Sequence, residues 1–179
     1  MTVDYRALNR QTKKDVYPLP RIDDLLDKLS KAKLLSAIDL ASGYHKIKLA
    51  DDACEKTAFV TRYGLFEYTV LPLGLCNAPS TFQRLMNAVM SGYIDDFVLV
   101  YLDDILIYSD NAEEHEAHLR RVFDRLREHK LQAKLTKCEF GKPYVKYLGH
   151  VVGSGELRVD SDKVAAVLDW EPPDRKSVV

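Results

Sequence analysis

Two adjacent carboxylates interrupt one of the most apolar stretches of the chain, VYLDDILIYS at residues 100–109. At the tip of a strand pair, Asp103 and Asp104 repel each other by on the order of 4 kcal/mol at ~4 Å and an effective dielectric of ~20. One reading is structural, because Asp tolerates turn dihedrals and left-handed φ. The flanks offer another. Apolar strands on both sides hold the tip rigidly, so the charges cannot splay apart, and a divalent cation turns their repulsion into attraction. A third carboxylate, Asp39, closes the β-prone run LLSAIDL (34–40) beside the bend at Ser42–Gly43. If that strand pairs beside the DD hairpin, three hard oxygen ligands converge with room for phosphate oxygens, which is how Mg2+ is usually held. Two such ions ~4 Å apart could activate an attacking hydroxyl and stabilise a leaving pyrophosphate.

The elements that must position these residues are legible in outline. FVLVYL and ILIYS read as two strands around a two-residue Asp103–Asp104 tip. KTAFVTRYGLFEYTVLPLG reads as a hairpin turning near Tyr63–Gly64, and VKYLGHVVGSGELRV (145–159) as another turning at Gly153–Ser154–Gly155. A first helix is expected over 18–33, with Pro20 at its start, Asp23 and Asp24 in its first turn, and Ile22, Leu25, Leu26 and Leu29 as its apolar stripe. A second begins after Asn77, with Pro79 near its start and Phe82, Leu85, Met86, Val89 and Met90 facing the core. Asp110 or Asn111 caps a third, whose stripe is Leu119, Val122, Phe123 and Leu126. Ser161 opens a last short helix that EPP (171–173) ends. Helices interleaved with hairpin-joined strands predict an α+β fold, a mostly antiparallel sheet with helices on one face.

Composition bounds the rest. A chain of 179 residues, 46% hydrophobic and 30% charged, has the makeup of an ordinary folded domain. Its formal charge of −1 announces no polyanion partner globally. Locally, Arg120 to Lys146 carries nine Lys/Arg against three Asp/Glu, either a solvated helix face and loop or a surface that tracks phosphates. Cys54, Cys76 and Cys138 are odd in number, far apart and without a CxxC pair, which fits a reduced intracellular protein better than a disulfide framework or zinc site. The early charges of MTVDYRALNR argue against a signal peptide, and no apolar run approaches the ~20 residues of a membrane span, so no membrane partner is expected. His115 and His118, with Glu114 nearby, could form a metal site but read as an exposed polar helix face. His45 reads as a surface or packing residue.

Nine segments occur in order: VDYRALN, PLPRIDDLL, AIDLASGYHKI, KTAFVT, GLFEYTVLPLGLCNAPSTFQRLM, VYLDDILIYS, HLRRVF, KLTKCEF and YLGHVV. Together they resemble the reverse transcriptase domain of gypsy-like LTR-retrotransposon polyproteins, relatives of retroviral polymerases, over residues 3 to about 173. The resemblance implies a right-hand polymerase: a ferredoxin-like antiparallel palm with helices behind it, plus partial fingers. It divides the chain into partial fingers (1–27), palm (28–46), a fingers hairpin (47–77), palm with the YLDD and primer-gripping hairpins (78–158), and the start of a thumb or connection (159–179).

The implied activity is RNA-directed DNA synthesis: nucleotidyl transfer from a dNTP to a primer 3′-hydroxyl on an RNA or DNA template. The implied cofactors are two Mg2+ ions, with Mn2+ as a substitute. Asp39, Asp103 and Asp104 match the family's catalytic aspartates, with the Leu40 carbonyl as a further metal ligand and Asp104 as either a ligand or a partner behind one. Tyr44 matches the ring under the incoming sugar that excludes a 2′-hydroxyl. Ser42 and Gly43 match positions whose backbone N–H groups face the triphosphate, while Gly74, Pro79, Phe82 and Gln83 match the segment against the nucleotide and templating base. Leu73 departs from the glutamine common in retroviral relatives. Tyr101 and the Leu148–Gly149–His150 turn match positions at the primer end. Lys137 or Lys134 falls where the family carries a lysine proposed to protonate pyrophosphate, and Arg6 reads as structural.

The chain starts later and stops earlier than the family pattern, since cations upstream of VDYR are missing and RKSVV departs from the family's continuation beyond WEPPD. A relic that folds and at most binds nucleic acid is therefore the competing expectation. The implied location is cytoplasmic, in virus-like particles, or nuclear.

Overall fold

The structure, a computed structural model, describes residues 3–21, Leu25, Leu29, 32–41, 43–153, 156–159, Ala165 and Trp170. Most of the helix expected over 18–33, the helix expected from Ser161, and Ser42 lie outside these residues. The elements are α1 (Arg6–Gln11), β1 (Leu34–Asp39), α2 (Asp51–Cys54), β2 (Phe59–Thr61), β3 (Gly64–Phe66), α3 (Ala78–Val89), β4 (Val98–Tyr101), β5 (Asp104–Ser109), α4 (Ala112–Glu128), β6 (Glu139–Lys142), β7 (Val145–Tyr147), β8 (His150–Gly153) and β9 (Glu156–Val159).

The central sheet has the order β4-β5-β1-β6, and every pairing in it is antiparallel. Along the chain, β1-α3-β4-β5-α4-β6 is a βαββαβ arrangement with the first strand inside the sheet, the ferredoxin-like plan that the family resemblance implied. Side chains alternate across it. Ile38, Val98, Val100, Ile105 and Ile107 meet Phe82, Met86 and Val89 of α3 and Val122 and Leu126 of α4. Leu35, Leu99 and Leu106 point the other way, onto Leu25, Leu29, Val145, Tyr147 and Val152. α3 and α4 lie on one face, and the opposite face is also covered, by Leu25 and Leu29 and by the β7-β8-β9 meander. Burial on both faces explains why VLVY and ILI lack the polar alternation of a half-exposed strand. At ~25 cal/mol per Å2 of apolar surface removed from water, this two-sided core is the main term holding the strand ends in place.

The meander corrects one expectation. Residues 145–159 form two turns: besides the one after Gly153, the chain reverses at Leu148–Gly149, whose φ values of 51° and 78° match the twisted turn that closes tight hairpins.

A second correction concerns α4. Asn111, not Asp110, caps it, its side chain accepting from the Glu114 N–H at 2.9 Å. His115 is not on an exposed face: it is 3% exposed. Its Nε2 lies 2.7 Å from Ser36 Oγ of β1 and its Nδ1 2.8 Å from Ser109 Oγ of β5, which also lies 2.9 Å from His118 Nδ1. Ser36 Oγ accepts from the Gly141 N–H of β6 at 3.0 Å. Neutral imidazoles satisfy the chain if Ser36 donates to His115, His115 to Ser109, and Ser109 to His118. His118 also stacks on Phe97, with centroids 3.9 Å apart. The two histidines thus join three strands to α4 as polar core.

Burial, and then neighbouring His118, holds the His115 imidazole below its ordinary value of 6.5. A lowered folded-state value means that the unfolded chain takes up the proton first, so this stability is present above about pH 6.5 and is lost as the pH falls further. The urea midpoint should therefore decline from pH 7.5 to 5.5 more steeply in the wild type than in His115→Gln.

Candidate active site

The β1–β5 register places Asp39 directly opposite Asp104. Asp104 is also the last partner of Tyr101 in the β4–β5 ladder. The hairpin tip is therefore Leu102–Asp103 rather than the two aspartates: Asp103 rides on the tip and Asp104 opens a strand. Leu102 adopts φ 53°, a strained value for a branched side chain. The tip is fixed from two sides. The Leu40 N–H donates to the Asp103 carbonyl at 3.1 Å, tying the tip to β1. The Leu102 N–H donates to Gln83 Oε1 at 2.7 Å, while Gln83 Nε2 donates to the Val100 carbonyl at 3.3 Å and to Asn87 Oδ1 at 2.9 Å. Gln83 is 0% exposed. Its amide holds the tip from behind and has no surface left for a nucleotide, which corrects the direct contact expected of it.

Of these carboxylates, Asp104 is under electrostatic load. Asp104 is pushed up to about 6, first by burial, then by Asp103 and Asp39, with Lys137 pulling the other way. Lys137 Nζ donates to Asp39 Oδ2 at 2.9 Å. The other lysine candidate, Lys134, meets Asp39 only through its backbone, its N–H donating to the Asp39 carbonyl at 2.9 Å. The one-turn helix Leu135–Lys137 between them brings the Lys137 ammonium to the carboxylates and leaves the Lys134 side chain exposed. Contact with Asp39 raises the Lys137 value above its ordinary one.

Among the described residues, no three His, Cys, Asp or Glu are gathered closely enough to hold a metal. The donor set nonetheless suits a hard dication: oxygen only, rigidly based, with Asp103 and Asp39 adding to the burial that raises Asp104.

Tyr44 stands beside this cluster. Its ring stacks on Phe82 with centroids 4.9 Å apart, and its hydroxyl is raised above the ordinary value by burial, then by Asp103 and Tyr101. Gly43 is buried against the same ring, where a Cβ would lie 2.6 Å from Phe82 Cζ. Glycine is thus required by contact here. Pro79 lies in the first turn of α3.

The Leu148–Gly149 turn and Tyr147 line a cavity of about 290 Å3 together with Asp39, Asp104, Lys137 and Lys146. The structure so brings the turn expected at the primer end to the carboxylates. His150 Nδ1 and the Tyr147 hydroxyl are buried without hydrogen-bond partners. Tyr147 was not legible as a site residue, because VKYLGH carries no cue beyond strand pattern.

Two asparagines were also missed. Asn9 Nδ2 donates to the Gly74 carbonyl at 2.8 Å and Asn9 Oδ1 accepts from the Cys76 N–H at 2.8 Å. Asn77 Nδ2 donates to the Lys13 carbonyl at 2.9 Å and its Oδ1 accepts from the Asp15 N–H at 3.0 Å. These reciprocal bonds, with Arg84–Asp15 at 2.7 Å, fasten the N-terminal segment to residues 74–77. Gly74, at φ 99°, needs glycine's freedom, and Leu73 is exposed. Arg6 pairs with Asp4 at 2.6 Å on the surface and His45 is exposed.

The cations of residues 120–146 divide. Arg120, Arg125 and Arg127 face Glu116, Glu128 and Asp124, and Arg121 covers the rings of Tyr93 and Phe97. Among the lysines, Lys137 and Lys146 line the cavity beside the carboxylates, whereas Lys142 pairs opposite Leu35, toward the other end of β1 from Asp39. No helix among the described residues is long and apolar enough to cross a membrane, and all three cysteines are free thiols.

The sequence pattern of the family described as reverse transcriptase (RNA-dependent DNA polymerase) matches residues 1–152. The chain belongs to the reverse transcriptase family. It is 41% identical over 173 residues to the retrovirus-related Pol polyprotein from transposon 297 of Drosophila melanogaster, covering 97% of this chain and 16% of that protein. It is 38% identical over 174 residues to the Pol polyprotein from transposon gypsy of the same organism, covering 97% of this chain and 17% of the relative. A foamy viral protease–reverse transcriptase solved in complex with double-stranded DNA superposes with a TM-score of 0.89 at 25% identity, over 97% of this chain and 30% of that one. The reverse transcriptase fold and its gypsy-like affiliation are as the sequence implied, and this chain spans about one-sixth of those two polyproteins.

Two substitutions test the scaffold. Gly43→Ala drives a methyl group into a ring that is 0% exposed, and should cost about 1–3 kcal/mol in thermal unfolding. Gln83→Leu takes the Oε1 acceptor from the part-buried Leu102 N–H and should cost about 1–3 kcal/mol in the same measurement.

Proposed function

We propose that this chain is the nucleotidyl-transfer core of an RNA-directed DNA polymerase, extending a primer 3′-hydroxyl with dNTPs on an RNA or DNA template. The observation that carries this reading is the placement of Asp39 opposite Asp104, with Asp103 on the adjoining tip. Mg2+, or Mn2+ in its place, would be held by Asp39, Asp103 and Asp104, with the Leu40 carbonyl as a further ligand. Bound there, two such ions supply activation of the primer hydroxyl and charge stabilisation on the phosphates. The chain's own residues do the rest. The Tyr44 ring, braced by Phe82, forms a wall at the sugar position and selects against a 2′-hydroxyl. Gly43, and Ser42 outside the described residues, offer backbone N–H groups to the triphosphate. Tyr101 and the Leu148–Gly149–His150 turn orient the primer end. Pro79 and Gly74 shape the nucleotide side, and Gln83 acts through the tip it holds.

Between the two lysine candidates, the geometry favours Lys137 as the donor of a proton to departing pyrophosphate, because its ammonium is the one beside the carboxylates. Within the divisions expected from sequence, residues 28–46 and 78–158 form the palm, 1–27 and 47–77 belong to the fingers, and 159–179 begin the thumb or connection.

The test is extension of a DNA primer on an RNA template with dNTPs and Mg2+ or Mn2+. Wild type should extend it, while Asp39→Asn and Asp103→Asn should fall by at least ~10³-fold with unfolding midpoints unchanged or raised. Extension by either variant at near wild-type rate contradicts the assignment. Absence of extension by all three favours the relic reading.

A further inference from the structure

The Lys137–Asp39 contact belongs to a site that, as a polymerase core, is built for dications. Lys137 reaches it from a short, firmly held turn. The Lys134 N–H is bonded to the Asp39 carbonyl, and the Lys137 and Cys138 N–H groups close the turn onto the Lys134 and Leu135 carbonyls at 2.8 and 3.1 Å. Asp39 is therefore gripped twice by one turn, by backbone on its carbonyl and by an ammonium on its carboxylate. The two grips differ in permanence. The backbone bond continues the strand pairing of β1, in which Leu40 bridges Ala133. The ion pair is at the surface, its lysine side chain 56% exposed against 20% for Asp39. A long flexible side chain in that setting can leave without opening the core.

We propose that Lys137 is a placeholder cation: it neutralises Asp39 while the site lacks metal, and metal must displace it. The inference rests on the dication reading of the carboxylates and adds a competition to it. Without a counter-charge, three carboxylates on neighbouring strand ends would strain the β1–β5 pairing that carries them. With Lys137 in place the empty site is tolerated, and the cost is a weaker first metal. The apparent affinity is reduced by the fraction of molecules in which Asp39 is paired, and the ammonium repels an arriving dication. The same displacement would leave Lys137 at the rim of the cavity it lines with Asp39 and Asp104, close to where a proton donor is wanted.

The experiment is Mn2+ titration of the full chain, following the free-ion electron paramagnetic resonance signal, for wild type, Lys137→Met, Lys137→Gln and Asp39→Asn. Thermal melts with and without Mn2+ accompany it. Both Lys137 variants should bind the first Mn2+ about three- to tenfold more tightly than wild type. They should also melt lower without metal and gain more from its addition. Equal or weaker Mn2+ binding by both Lys137 variants overturns the placeholder role while leaving the metal site standing. Mn2+ binding in none of the proteins, or binding that survives Asp39→Asn unchanged, overturns the metal-site reading and this inference with it.

Discussion

The structure depends on one antiparallel register. Because β1 pairs with β5 from Leu34–Ser109 to Asp39–Asp104, two carboxylates end opposite each other, and the hairpin tip adds a third. Nothing local to those residues favours this arrangement, since like charges at strand ends drive strands apart. What imposes it is burial. A slip of one residue would turn Ile38, Ile105 and Ile107 out of the helix-facing core and Leu35 and Leu106 out of the opposite one. Apolar packing on two faces thereby fixes the spacing of charges at one edge.

Polar contacts then refine what the apolar core fixes coarsely. The Ser36–His115–Ser109–His118 chain ties β1, β5 and α4 together behind the site. Gln83 reaches from α3 to hold the hairpin tip, and Gly43 lets the chain run against Phe82 so that Tyr44 stands beside Asp103. Each is a buried polar group with partners or a close approach without slack, so each narrows the positions available to the site. Lys137 differs in kind: its side chain is exposed and meets the site through a single ion pair with Asp39.

Much of this was legible in the sequence. The DD pair within apolar strands, Asp39 at a strand end, and an α+β fold with a mostly antiparallel sheet come from periodicity and turn residues, and the linked motifs identified the family and implied the ferredoxin-like plan. What escaped depended on contacts between distant residues. His115 and His118 sit three apart on an amphipathic helix, and only the strand serines Ser36 and Ser109 convert that spacing into buried structure. Gln83 lies in a matched motif, but the sequence does not say that its side chain points inward. Asn9 and Asn77 are 68 positions apart and carry no shared pattern. The tip was misplaced by one residue because strand pairing, rather than charge, decides where a hairpin turns.

The central claim is that the β1–β5 register builds a dication site from Asp39, Asp103 and Asp104. The most direct measurement is an anomalous difference map from crystals of the chain grown or soaked with Mn2+. The account predicts density against the Asp39 and Asp103 carboxylates, with the Lys137 ammonium moved off Asp39. An ordered site with Lys137 still on Asp39 and no anomalous density at the carboxylates, at Mn2+ concentrations that support metal-dependent activity, would contradict it.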